Sequence, residues 1–256
     1  MPGAVEIWSV DLDAAATDLL VLEADSGLLT AADRAAADGI ADQAAAHRRL
    51  AAIVALRLVL CGIAGRVSAT RGFAREAQGK PYLPDGACHF NVAHSGSRVL
   101  IALSTHAVGI DIELPRDVHM EARRRLLIES AAIAVGHGKQ LPGRTVQQRF
   151  LQAWTRLEAL AKADGCGIGR VLTEIGAVGR RRDVGGDELP ELLKVLSARY
   201  VTHDLRLTDD VVGAVAGACE VKGDPVDRKL PSDPAALRSL METPRRIGDA
   251  SLSAKI

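Results

Sequence analysis

The clearest structural pattern in the chain is a short segment that reads Val108-Gly109-Ile110-Asp111-Ile112-Glu113. Side chains alternate between the two faces of a β-strand, so Ile110 and Ile112 would point to one face and Asp111 and Glu113 to the other. Neighbouring carboxylates repel each other unless a proton or a cation lies between them, and hard oxygen ligands favour Mg²⁺ or Mn²⁺ over zinc. The segment therefore predicts a strand that carries either a metal site or two ordinary surface acids.

A long helix is predicted about forty residues later, over 146–163, with Gly165 at its end. Glu158 and Lys162 are four residues apart and therefore neighbours on the helix surface. The pair is either a simple surface ion pair or part of a site. In the second case Glu158 is a third carboxylate that faces the acidic strand, and Lys162 neutralises a phosphate group.

The remaining sequence predicts a mixture of helices and strands around these two segments. Helical patterns occupy 42–61 and 118–133, and a shorter helix begins after Thr30. Apolar alternation and turn residues predict strands over 5–10, 90–96, 99–104, 171–178, 198–206 and 211–221.

Composition limits the function classes. The 256 residues contain 32 Lys and Arg against 32 Asp and Glu, so there is no overall attraction to nucleic acid or to an anionic membrane. Aromatic residues make up only 3%, which argues against a surface that stacks bases. The longest apolar stretch, over 50–64, contains Arg57 and is shorter than the roughly 20 residues that a membrane span needs. The four cysteines never form a CxxC motif, which is typical of a cytoplasmic protein. We therefore expect a cytoplasmic protein with no nucleic-acid or membrane partner.

Three further segments are ambiguous when each is taken alone. Arg48 and Arg49 form either a solvated charged turn or a basic site. His94 follows a predicted strand and is either a structural histidine or a ligand-binding one. The Gly79-Lys80-Pro81 segment is a loop signal.

In their order and spacing, these segments together resemble the surfactin-synthetase-type (Sfp-type) 4′-phosphopantetheinyl transferases. The resemblance spans 42–168, and the residues that carry it are Arg48-Arg49, Gly79-Lys80-Pro81, Phe90-Asn-Val-Ala-His94-Ser-Gly, Gly109-Ile-Asp-Ile-Glu113 and Phe150-x-x-x-Trp154-Thr-x-x-Glu158-Ala-x-x-Lys162.

The resemblance implies an α+β fold made of two α/β halves related by a pseudo-twofold axis, with coenzyme A bound in the cleft between them. We expect an N-terminal half over 1–106 and a C-terminal half with the metal site over 107–222. The stretch 223–256 is rich in proline and poor in large apolar residues, so we expect a disordered or loosely docked tail. Relatives of about half this length form trimers, so a chain of this length is expected to be a monomer.

The resemblance also implies an activity, the transfer of 4′-phosphopantetheine from coenzyme A to a serine of an apo acyl or peptidyl carrier protein. The second product is adenosine 3′,5′-bisphosphate. In this reading Mg²⁺ or Mn²⁺ on the diphosphate is held by Asp111, Glu113 and Glu158, and Lys162 contacts a diphosphate oxygen. The adenosine 3′-phosphate and its surroundings are bound by Arg48, Arg49, Lys80, Ala93 and His94. Glu158 takes the serine proton, with Glu113 as an alternative base.

Carrier proteins are generally acidic, so a basic and partly apolar surface is needed near the cleft. The sequence offers one in the helix after the acidic strand, with residues Arg123, Arg124, Arg125, Leu126 and Leu127. The alternative is an ordinary solvated helix face.

Two positions depart from the family pattern. Ala93 stands where relatives often have Ser or Thr, which removes a hydroxyl donor and leaves the backbone N–H. Leu157 replaces a common lysine next to the helix glutamate. The three carboxylates and Lys162 are intact, so we expect an active enzyme. The alternatives are a non-catalytic binder of coenzyme A or carrier protein with the same fold, and an unrelated metal-dependent phosphohydrolase.

Overall fold

The computed structural model describes residues 4–179, 189–208, 210–221 and 223–249. They form a mixed helix and sheet architecture with two main sheets and a small hairpin. This confirms the expected α+β class.

The first part of the chain builds a sheet covered by helices. Its elements are β1 (Glu6–Asp11), α1 (Leu12–Ser26), α2 (Ala31–Asp38), α3 (Gln43–Ala64), α4 (Arg66–Ala69), β2 (Ala74–Arg75), β3 (Pro81–Tyr82), β4 (His89–Ser95) and β5 (Arg98–Ser104). Strand β5 pairs antiparallel with both β4 and β1, while β2 and β3 form the separate hairpin. The predicted long helix is confirmed as α3, and the Asp42 side chain caps its N-terminus by accepting from the Ala44 N–H.

The second part builds a smaller sheet of three antiparallel strands in the order β6-β8-β7. Its elements are β6 (Val108–Glu113), α5 (Ala122–Val135), α6 (Val146–Asp164), α7 (Ile168–Glu174), α8 (Glu191–Arg199), β7 (Tyr200–Arg206) and β8 (Val212–Ala218). Helix α6 begins after a capping box made by Thr145 and Gln148 and ends at Gly165, whose φ of 81° is in the left-handed region.

The strand predicted over 171–178 is wrong, because most of this stretch belongs to or follows helix α7. Val171 and Leu172 are both buried in the core around α6. Consecutive residues on a strand would face opposite sides, so a helix buries this adjacent apolar pair more effectively.

The two sheets meet across an apolar layer to which both contribute, with buried residues Val5, Ile7, Ala93, Leu100, Ala102, Val108, Ile110, Ile112, Leu205 and Val215. Ile110 and Ile112 are nearly inaccessible in this layer, which confirms the alternation predicted for β6. The opposite face of β6 packs on α6, and Asp111 lies on that face. Strand β6 is therefore held between the first sheet and the long helix of the second part.

The tail prediction is wrong for residues 223–249. Strand β9 (Val226–Lys229) pairs in parallel with β1, and helix α9 (Pro234–Glu242) packs on the first core. The buried residues that this segment contributes to the core are Leu230, Leu237 and Leu240. Pro234 lies in the first turn of α9, where proline favours a helix, so the proline content did not indicate disorder. Residues 250–256 lie outside the described residues.

Among the helices of the described ranges, none is at once long enough and apolar enough to cross a membrane.

Candidate active site

The acidic strand β6 and helix α6 are in direct backbone contact at Gly109. A Cβ atom at this position would clash with the carbonyl oxygen of Ala159 and the amide nitrogen of Ala163. Only glycine allows the strand to approach the helix so closely. This contact places the acidic face of β6 beside the last two turns of α6.

Asp111 and Lys162 form an ion pair across this contact. Lys162 Nζ donates to Asp111 Oδ1 at 2.7 Å and lies 3.4 Å from the carbonyl oxygen of Ile110. Asp111 is 7% exposed, and its Oδ2 atom is buried with no hydrogen-bond partner within the described residues. Lys162 therefore satisfies one carboxylate oxygen, while the other is buried without a partner among the described residues.

Glu158 lies one helical turn before Lys162 and is half-buried. Burial raises the pKa of its carboxyl group, the charge of Lys162 opposes this, and the charges of Asp111 and Glu113 raise the pKa further. Burial likewise raises the pKa of Asp111, against the ion pair with Lys162 and with a further contribution from Glu113. Glu113 is thus close enough to both Asp111 and Glu158 for its charge to raise their pKa values.

Glu113 has a basic partner that the sequence analysis missed. Arg116 donates to both carboxylate oxygens, with Nη2 at 2.9 Å from Oε1 and Nε at 3.2 Å from Oε2. The sequence signal that could have revealed this pair is the basic residue Arg116, three positions after the second acid of the strand. Both acids of the strand therefore carry a cationic partner.

The three carboxylates are the side chains that would hold a divalent cation at this site. Within the described ranges, no group of three or more His, Cys, Asp or Glu side chains is arranged as a ready metal cage. The donor types nevertheless fit Mg²⁺ or Mn²⁺, because all three side chains offer carboxylate oxygens. Buried carboxylate oxygens normally have a hydrogen-bond partner, and Asp111 Oδ2 has none within the described residues. A bound cation would supply the missing partner. A cation would compete with Lys162 and Arg116 for these carboxylates.

A separate basic pocket lies at the start of α3. Its volume is about 360 Å³, and Arg48, Arg49 and His94 are among its lining residues. The structure therefore brings together three of the residues predicted for phosphate binding. Ala93 is adjacent in sequence, but its side chain is buried in the apolar layer between the sheets, on the other face of β4. Only its backbone could serve a ligand.

Lys80 is not among the residues that line this basic pocket. Its ammonium group donates to the carbonyl oxygens of Val108 at 3.1 Å and Ala163 at 3.2 Å. Lys80 therefore contacts the start of β6 and the end of α6.

The helix proposed for carrier docking is α5. Arg123, Arg124 and Leu126 are exposed, while Arg125 and Leu127 are half-buried. Ile128 on the inner face is part of the core. The outer face of α5 thus combines positive charge with an exposed leucine.

Leu157, the second departure from the family pattern, is fully buried in the core around α6. The neighbouring Arg156 is also buried and pairs with Asp204 at 2.6 Å, an interaction that the sequence analysis missed.

Comparison with known proteins relates the chain to a group of transferases. The 4′-phosphopantetheinyl transferase Sfp of Bacillus subtilis is 29% identical over 127 residues, which cover 48% of this chain and 54% of Sfp. The 4′-phosphopantetheinyl transferase HetI of a Nostoc species is 30% identical over 175 residues, which cover 65% of this chain and 71% of HetI. The chain thus spans about half the length of Sfp and a larger share of HetI.

No protein-family model matches the chain. The similarity to HetI extends over more than two thirds of that protein, and the similarity to Sfp supports the same assignment. The chain therefore belongs to the Sfp-type 4′-phosphopantetheinyl transferase family.

Proposed function

We propose that the protein transfers 4′-phosphopantetheine from coenzyme A to a serine of an apo acyl or peptidyl carrier protein. The products are the holo carrier and adenosine 3′,5′-bisphosphate. The observation that carries this proposal is the convergence of Asp111, Glu113 and Glu158 beside Lys162, where strand β6 meets helix α6. The names of the similar proteins Sfp and HetI point to the same reaction.

The fold proposal is that the chain has two halves related by a pseudo-twofold axis, over 1–106 and 107–222. A repeated order of elements supports it. The first part runs from strand β1 through long helix α3 to hairpin β4–β5, and the second runs from β6 through α6 to β7–β8. In both sheets the second strand of the hairpin pairs with the first strand of that part. Coenzyme A would lie between the halves.

The basic pocket is proposed to hold the adenosine 3′-phosphate. Arg48 and Arg49 can each offer a planar fork of donors that matches phosphate oxygens, and His94 adds a ring nitrogen. Ala93 would contribute only through its backbone, because its side chain is packed elsewhere.

A Mg²⁺ or Mn²⁺ ion held by Asp111, Glu113 and Glu158 would neutralise negative charge on the diphosphate when bound. The Lys162 ammonium group donates to Asp111, and we propose that it also contacts a diphosphate oxygen. Its ammonium group would add positive charge beside the phosphorus that is attacked.

The serine hydroxyl oxygen of the carrier would attack the β-phosphorus of coenzyme A. A bond forms between that oxygen and phosphorus, and the bond from phosphorus to the bridging oxygen breaks. The bridging oxygen leaves on adenosine 3′,5′-bisphosphate. Glu158 is proposed to accept the serine proton, because the family resemblance assigns this role to the helix glutamate and its carboxylate lies one turn from Lys162. Glu113 is the alternative base, although Arg116 engages both of its oxygens.

The carrier is proposed to dock on the outer face of α5, through Arg123, Arg124, Arg125, Leu126 and Leu127. One chain supplies both the basic pocket and the acidic strand, so a monomer would contain a complete site. All four cysteines are free, which fits the cytoplasmic location that we propose.

The test is incubation of the protein with apo carrier, coenzyme A and Mg²⁺, followed by mass spectrometry of the carrier. We expect a phosphopantetheine adduct on serine, its loss when a chelator removes Mg²⁺, and its loss in Glu158→Gln. Binding of coenzyme A or carrier without an adduct would instead indicate a non-catalytic binding protein. Cleavage of coenzyme A without carrier would indicate a phosphohydrolase.

A further inference from the structure

The hairpin β2–β3 presents Lys80 at the junction of β6 and α6. The ammonium group donates to the carbonyl oxygens of Val108 and Ala163, which belong to different elements. The carbonyl of Ala163 is among the last four of α6, which have no partner inside the helix. Lys80 supplies a hydrogen bond that the helix itself does not provide.

The two bridged carbonyls lie next to the proposed catalytic side chains. Val108 is three residues before Asp111 on β6, and Ala163 directly follows Lys162 on α6. The bridge therefore joins the two backbone segments that present the ion pair at the centre of the site. It acts at the same place as the close contact of Gly109 with α6.

The rest of the hairpin also packs against the C-terminal end of α6. The Glu76 N–H donates to the Lys80 carbonyl oxygen at 2.9 Å, which closes the hairpin. The Glu76 carboxylate packs so closely on Gly165 that a Cβ atom there would clash with it. Both residues thus place the hairpin on the cap of the helix.

The surroundings of Lys80 differ from those of an open phosphate-binding lysine. Burial lowers the pKa of its ammonium group, and the charges of Glu76 and Asp164 oppose this shift. An ammonium group has three N–H donors, and the two carbonyls occupy two of them. The residues that line the basic pocket include Arg48, Arg49 and His94 but not Lys80.

We propose that Lys80 is a positioning residue, which locks β6 against the end of α6 so that Asp111 and Lys162 stay aligned, and that it does not bind the adenosine 3′-phosphate. The proposal rests on the proposed transferase function for its effect on catalysis.

The test compares Lys80→Met, which keeps the apolar stem, with Lys80→Arg, which keeps donors. Arg75→Met is the matched control, because it removes a positive charge from the same hairpin, and among the described residues Arg75 donates to the Gly79 carbonyl oxygen within that hairpin. Transfer is measured with coenzyme A and with 3′-dephospho-coenzyme A. We expect kcat of Lys80→Met to fall roughly 10–100-fold, as for a misplaced reacting group. We also expect the preference for the 3′-phosphate to stay within about twofold of the unmodified chain. Lys80→Arg should recover part of kcat.

Amide hydrogen exchange does not depend on transfer activity. It separates a positioning role for Lys80 from a role in binding the 3′-phosphate. In Lys80→Met, amide hydrogen exchange should accelerate by at least about threefold at the start of β6 and the last turn of α6, and stay unchanged in Arg75→Met. Unchanged exchange at both segments would overturn the proposal. So would a loss of the 3′-phosphate preference in Lys80→Met. If the unmodified chain transfers nothing, the proposed function fails, and the exchange data still decide whether Lys80 locks the strand to the helix.

Discussion

Lys162 Nζ lies 2.7 Å from Asp111 Oδ1, although 51 residues separate the two in sequence. The ion pair joins helix α6 to strand β6 and leaves Glu158, one turn earlier, beside the negative charges of Asp111 and Glu113. Acids that lie beside one another repel, which is costly for folding and useful for binding a cation or a proton. This arrangement leads to the first two predictions.

Replacing Asp111 with Asn should lower transfer at least about 100-fold, because it removes the negative charge that pairs with Lys162 and that is proposed to hold the cation. Initial rates of carrier modification at saturating Mg²⁺ and coenzyme A measure this effect. Circular dichroism should show a folded protein. Full activity in the folded variant would refute the assignment of Asp111.

Replacing Glu158 with Gln should stabilise the metal-free protein at pH 7 while abolishing transfer. Because burial and acidic neighbours raise the pKa of Glu158, the folded chain binds more protons here than the unfolded chain, so stability falls as pH rises through this window. Gln is uncharged, so the variant avoids the free-energy cost of an ionised carboxylate at this half-buried position. We expect its Tm at pH 7 to be higher by roughly 1–3 °C, and the difference to shrink below about pH 4.

Thermal unfolding across this pH range measures the difference, with exposed Glu121→Gln as the control. A lower Tm for Glu158→Gln than for the unmodified chain at pH 7 would contradict the electrostatic account.

Replacing Arg48 and Arg49 together with Gln should remove the preference for coenzyme A over 3′-dephospho-coenzyme A. Both side chains line the basic pocket with His94, and each can bind phosphate through two donors. The ratio of kcat/KM for the two substrates should fall roughly 10-fold or more, with kcat for the dephosphorylated substrate nearly unchanged. An unchanged ratio would place the 3′-phosphate elsewhere.

Replacing Arg123 and Arg124 with Glu should raise the apparent KM for an acidic carrier by roughly 10-fold, with less than about twofold effect on KM for coenzyme A. Both residues are exposed on α5. The control is the same charge reversal at Arg238 and Arg246, which are exposed in the C-terminal segment. Similar effects on both substrates would argue against docking at α5.

Replacing Arg245 with Met should destabilise the fold by about 3–5 kcal/mol, because it leaves a buried carboxylate without one of its partners. Glu6 is fully buried and pairs with Arg245 and Arg228, which tie the C-terminal segment to β1. Urea unfolding measures the loss. The exposed pair of Arg238 with Asp25 is the control, and Arg238→Met should cost less than about 1 kcal/mol. Equal effects would show that the segment is only loosely attached.

The sequence indicated the parts of the site that depend on local periodicity. Alternation along β6 correctly placed Ile110 and Ile112 in the core and Asp111 on the other face. The cap residues of α6 gave its C-terminal end at Gly165. These features arise within one element, so a single stretch of sequence contains their cause.

The interactions that sequence spacing did not indicate are contacts between elements. Spacing made Glu158 a candidate partner for Lys162, but tertiary packing brings Asp111 to that ammonium group. The resemblance predicts that Lys80 binds near the 3′-phosphate, and in the structure its ammonium group donates to two backbone carbonyls. Side-chain spacing contains no information about a carbonyl on another element, so sequence patterns could not reveal this bridge.

The most direct test of the central claim is a crystal structure with coenzyme A and Mn²⁺, using the anomalous signal to locate the metal. The account predicts one peak within bonding distance of carboxylate oxygens from both β6 and α6, namely Asp111 and Glu158. A peak bound by the strand acids alone, with Glu158 turned away, would contradict it.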